Sequence, residues 1–140
     1  MSALFQQSQR NLSQKKIFDL IKIALLHSLC GRNMSYNIVI MTASSREEAV
    51  KIVRTLLEER LIACANIMDP VSSFFWWQGK IEEEKEALVI MKSHENLFKK
   101  LSKRVTELHS YDVPEILALP IVEGSQSYLD WMKACLEPVK

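Results

Sequence analysis

Four aromatic side chains in a row, Phe74-Phe75-Trp76-Trp77, run straight into Gln78-Gly79. Lys80 then opens a charged stretch that ends in Ala87-Leu88-Val89-Ile90-Met91. Two such runs joined by a glycine turn read as a hairpin. Its arms, Val71 to Trp77 and Lys80 to Lys92, exceed the usual strand of about 5–6 residues. Side chains alternate across a strand, so at least one pair of the four aromatics faces away from its own core. The outer half, Glu82-Glu83-Glu84-Lys85-Glu86, is too charged to be core. The hairpin therefore demands an antiparallel sheet and something beyond one core to cover its overhang, because exposed aromatics beside an unpaired strand edge favour association.

The flanking segments complete the pattern. Ile38-Val39-Ile40-Met41 is a continuous apolar run and predicts a strand buried on both faces. Ser44 and Ser45 each precede a glutamate by three residues, Glu47 and Glu48, which is a capping box in two registers. Ala49, Ile52, Val53, Leu56, Leu57 and Leu61 follow at helical spacing. Ala63 to Met68 predicts a strand that Asp69-Pro70 interrupts before Val71. A second helix starts at Ser93 or His94 and carries Leu97, Phe98, Leu101, Val105 and Leu108 on its buried stripe. Glu115 to Ile121 reads as a strand with Pro120 near an edge. A short last helix carries Tyr128, Leu129, Met132, Cys135 and Leu136. The order β-α-β-β-α-β plus one helix predicts an α+β, ferredoxin-like sandwich with its helices on one face of the sheet.

Residues 1–34 differ from the rest. They carry five Lys and Arg against one Asp, whereas residues 35–140 carry 13 against 16 Asp and Glu. We read 1–34 as an extension outside the fold and 35–140 as the domain. The apolar run Ile17 to Leu29 contains Asp19, Lys22 and His27, which argues against a signal peptide, and it is too short and charged to span a bilayer. Met34 offers an alternative start directly before the first strand; a targeting role for 1–34 is the competing reading. The formal net charge of +1 gives no field for nucleic acid, and no basic stripe accompanies the tryptophans. Cys30, Cys64 and Cys135 are odd in number and widely spaced, with no Cys-x-x-Cys, so a reducing compartment such as the cytoplasm is expected. There is no phosphate-binding glycine loop, no His-Glu-x-x-His and no nucleophile elbow, and nothing requires an enzyme.

The loop His109-Ser110-Tyr111-Asp112-Val113-Pro114-Glu115 holds an imidazole, a phenol and two carboxylates within seven residues. Neutral imidazole suits copper or zinc, with carboxylate as a harder companion. The alternative is a structural loop in which His109 caps the preceding helix and Tyr111 packs. Trp76 and Trp77 point to opposite faces, one into the core and the other over a cleft or a neighbouring subunit. Cys64, flanked by Ala63 and Ala65, reads as a small buried residue and not as a nucleophile. The Glu82–Glu86 run protects a strand edge or pairs across an interface; alternation is expected to split its carboxylates between two faces, against a cation site. Thr42-Ala43-Ser44-Ser45 serves as a cap or as an anion site at the helix start.

Several stretches together resemble the CutA family, named for divalent-cation tolerance. They are Thr42 to Ala49, Glu58 to Ile67, Phe75-Trp76-Trp77-Gln78-Gly79-Lys80-Ile81-Glu82, Leu108 to Ile116 and Tyr128-Leu129-Asp130-Trp131. The resemblance covers about residues 35–140 and not 1–34. It implies a tight homotrimer with a role in metal-ion tolerance. It also implies copper ligands that combine a sulfur donor in the first strand with histidine in the loop. Here those positions hold Met41 and His109, and Leu108 stands where some relatives have a second histidine. With Glu115 these make the candidate metal set, while Trp76, Trp77, Tyr111 and Asp112 are candidate ligand or interface residues. No cofactor is required on this reading; copper or another divalent cation is the candidate ion. The second reading is a regulatory or scaffolding trimer that binds a small ligand or partner protein between subunits, by fold-level analogy with PII-type signalling proteins.

Overall fold

The computed structural model describes residues 36–136, within the compact unit Met34–Lys140. The expectations for residues 1–34 lie outside the described residues. The elements are β1 (Tyr36–Ala43), α1 (Arg46–Glu58), β2 (Cys64–Trp77), β3 (Lys80–His94), α2 (Phe98–Leu108), β4 (Ile116–Pro120) and α3 (Gln126–Cys135), with a 3-10 turn Glu95–Leu97 before α2.

Local chemistry sets the boundaries. Of the two capping registers, Ser45 takes the cap, its Oγ accepting from the Glu48 backbone N–H at 3.2 Å. α1 buries Ala49, Ile52, Val53 and Leu56. It ends where Arg60 adopts a left-handed conformation (φ 54). The hairpin turn puts Gln78 (φ 47) and Gly79 (φ 80) both in the left-handed region, which two-residue turns require to match strand twist. β2 is one strand and not two: Asp69-Pro70 sits where the register shifts between Met68 and Val71, a bulge that spares proline a ladder hydrogen bond. The second helix is delayed by its 3-10 turn, which His94 caps by accepting from Asn96 N–H on Nδ1 at 3.1 Å.

The strands form one antiparallel sheet in the order β2-β3-β1-β4, the ferredoxin-like arrangement. Its core face presents Val39, Met41 and Ala43 of β1 and Ala87, Val89 and Met91 of β3, all fully buried, in one cluster with Ile52 and Leu56 of α1 and Leu101 and Val105 of α2. The other face differs from expectation. β1 is fully buried on its core face alone; on the other, Ile38 and Ile40 keep part of their surface in water. Register aligns Ile40 with Ile90 and Leu117, and Ile38 with Leu119, on that same face. Leu117 is 56% exposed, Leu119 46% and Met68 44%, so an apolar sheet face stands open. Neither tryptophan enters the core: Trp76 is 73% exposed and Trp77 61%, since the hairpin tip outruns the helices that cover the sheet.

Candidate functional site

Beyond the bulge, pairing sets Ser73 opposite Glu84, Phe75 opposite Glu82 and Trp77 opposite Lys80. These residues share one face of the hairpin, and Glu82, Glu84 and Glu86 recur on it at every second position. That face and the loop Ser110–Glu115 enclose a cleft of about 940 Å³. Five of its lining residues are carboxylates (Glu82, Glu84, Glu86, Asp112, Glu115), four are aromatic, and none is basic. Alternation splits the run as expected, with Glu83 on the opposite face, and leaves three carboxylates on the cleft side. At the inner end of the charged run Glu86 is nonetheless buried, 7% exposed.

The loop is clamped from α1. Glu48 Oε2 accepts from Ser44 N–H at 2.9 Å and from Ser44 Oγ–H at 2.6 Å, and its Oε1 accepts from Ser110 N–H at 2.6 Å. Burial alone raises a carboxyl's pKa; hydrogen bonds from Ser44 and Ser110 outweigh it here and hold Glu48 at about 2. His109 is the second anchor, with a fully buried side chain. Its Nδ1 lies 3.0 Å from Tyr111 N, which can only donate, so Nε2 carries the proton and donates to Thr42 O at 2.8 Å. Tyr111 stacks obliquely on this imidazole at 5.0 Å between centroids. Burial, the Glu86 hydrogen bond and the charges of Glu86, Glu48 and Glu84 push the Tyr111 phenol up to about 12. The cleft is a region of negative potential with an apolar floor.

Trp77, Tyr111, Asp112 and Glu115 therefore come together around the cleft, while Trp76 lies on the hairpin's opposite face with Ile81. Met41 is in the helix-side core. His109 stands beneath Tyr111 with both ring nitrogens engaged, closer to the structural reading of that loop than to an open ligand. Among the described residues, no group of three His, Cys, Asp or Glu side chains stands close enough to hold a metal ion. Cys64 is only half buried, its Sγ 3.3 Å from Tyr128 Oη. Sequence reasoning missed Glu48, Phe75 and the Glu82/Glu84/Glu86 row; the every-second-residue spacing was the available signal for the last.

The family model of the CutA1 divalent ion tolerance protein matches residues 37–135. The chain belongs to the CutA1 family. The divalent-cation tolerance protein CutA of Thermus thermophilus is 47% identical over 96 residues, 69% of this chain and 93% of the relative. A solved Cut A1 structure from the same organism superposes with a TM-score of 0.71 at 44% identity, covering 73% of this chain and 99% of that one. CutA1 from Oryza sativa superposes with a TM-score of 0.74 at 35% identity, covering 76% and 97%. The family is named for tolerance of divalent ions and not for a reaction.

Proposed function

We propose that this CutA1 chain works as a homotrimer in the response to divalent metal ions, by binding and assembly and not by catalysis. The observations that support assembly are the open apolar sheet face of Leu117, Leu119 and Met68 and, on the opposite face of the hairpin overhang, the exposed Trp76 and Ile81. A monomer that left both in water would be prone to aggregation, and closed symmetry covers them while fixing the number of copies. The number three comes from the family resemblance. A reducing compartment, the cytoplasm, suits the free thiols of Cys64 and Cys135. Among the described residues no helix is long and apolar enough to cross a membrane, and an acidic cleft does not invite nucleic acid.

No resident cofactor is required for this role. Copper is the ion a neutral imidazole would suit, with Met41 and Glu115 as companions, and to accept it His109 must release Tyr111 N–H or Thr42 O. Any copper held by this chain is expected to depend on His109. Titration of Cu(II) by calorimetry into the full chain and into His109→Ala tests this. A loss of tenfold or more in affinity is the expected result, and equal affinity removes His109 from any copper site.

A further inference from the structure

The end of β3 is a junction between β1, the 3-10 turn and α3. His94 closes the strand opposite Tyr36, the first residue of β1, and its imidazole stands edge-on to the phenol ring at 5.4 Å between centroids. Tyr36 O accepts from Ile121 N–H at 2.9 Å, which fixes the segment that leads from β4 to α3. The turn that follows His94 carries Leu97 into a second apolar cluster with Ala63, Met132 and Leu136, and Tyr36 packs against the same cluster. α3 has no side-chain cap at Ser125, so its hold on the sheet rests on this cluster and on the contact between Tyr128 and Cys64.

The cap on this turn exists in one protonation state only. His94 Nδ1 accepts from Asn96 N–H at 3.1 Å. A backbone N–H can only donate, so Nδ1 is bare and Nε2 carries the ring proton. A further proton must go to Nδ1, where it would meet Asn96 N–H donor against donor. Forming the imidazolium therefore removes the cap and turns the ring away from Asn96 and from Tyr36. The titratable groups on the surrounding elements are Lys92 on its own strand, Glu95 in the turn, Tyr36 of β1, Cys64 of β2, Lys99 and Lys100 at the start of α2, and Tyr128 and Cys135 of α3. Among the described residues, Glu95 is the one whose charge acts on His94. We propose that His94 is a pH-sensitive latch, whose protonation in mildly acid conditions releases the 3-10 turn and, through Leu97 and Tyr36, loosens α3 from the sheet. Partial burial pushes the imidazole below its usual 6.5, and the Glu95 carboxylate only partly offsets this. A group depressed on folding contributes stability that is fully present above its unfolded value and is lost as pH falls through the folded one, so release comes on acidification below pH 6.5. Loss of one cap opens a local unit and leaves the main core folded. Every element involved belongs to one chain, so the latch does not rest on the assembly or on the metal-ion role.

Hydrogen exchange of the full chain, read by mass spectrometry at pH 7.5 and pH 5.5 and corrected for the intrinsic pH dependence, tests the latch. Protection over residues 95–100 and 126–136 should fall at least threefold at the lower pH, while that of β1 stays constant. His94→Asn keeps a cap acceptor that does not titrate, and its protection should be the same at both pH values. A nuclear magnetic resonance titration of the His94 imidazole in the wild-type chain should give a midpoint below 6.5, and it stands whether or not the variant folds. Equal wild-type protection at the two pH values, the same fall in His94→Asn, or a midpoint at or above 6.5 would overturn the proposal. A fall confined to residues 95–100, with α3 unmoved, would overturn the coupling on which the latch depends.

Discussion

Leu117→Asp is expected to dissolve the assembly while leaving the fold of each chain in place. Leu117 lies on β4 and faces the open side of the sheet with Ile40 and Ile90, with 56% of its surface in water. Burying what remains exposed against a neighbour stabilises an interface by roughly 1 kcal/mol per copy, given about 1.5–3 kcal/mol for a whole leucine. A carboxylate at the same place loses that and must be desolvated, at several kcal/mol per ion. In the proposed trimer, symmetry would repeat the penalty in each of three copies. In the isolated chain the position is exposed, and such substitutions stay within about 0.5 kcal/mol. Native mass spectrometry should therefore read single chains with an unchanged circular dichroism spectrum. An unaltered assembly mass would mean that this face is not the contact.

The largest expected effect on the fold itself is at Glu48. Its carboxylate ties Ser44 to Ser110 and so fixes the cleft loop to the start of α1. Its folded pKa is depressed from 4.5 to about 2. A depressed carboxyl contributes stability that is fully present above the unfolded value and is lost as pH falls through the folded one. The shift corresponds to about 3 kcal/mol near neutral pH. Glu48→Ala should lower Tm by at least about 10 °C at pH 7, at equal protein concentration because assembly contributes to Tm. The gap between wild type and variant should shrink steadily from pH 5 to pH 2. A gap that is constant across that range would show that the charge of Glu48 is not what holds the loop.

The fold was legible in the chain because its signals are local. The capping box at Ser45, the helical spacing from Ala49 to Leu56 and the Gln78-Gly79 turn each specify a conformation without reference to distant residues. The burial of β1 was misread because an apolar run such as Ile38 to Met41 looks the same whether its second face meets helices or is left for a partner. Trp76 and Trp77 were misplaced for a related reason: periodicity tells which faces they take but not that the hairpin tip extends past the core. The loop from His109 to Glu115 was legible as a functional candidate from its composition. The roles within it were not, because they depend on Thr42, Glu48 and Glu86, which reach it from other elements. His109 looks like a ligand by type and is a two-sided anchor by geometry.

Covering the open sheet face and the hairpin overhang in a closed trimer is the centre of this account, and sedimentation equilibrium of the full chain at micromolar concentration tests it most directly. A single species of three 16.2 kDa chains is the predicted result. A stable monomer would contradict the assembly, and a dimer would contradict the threefold closure.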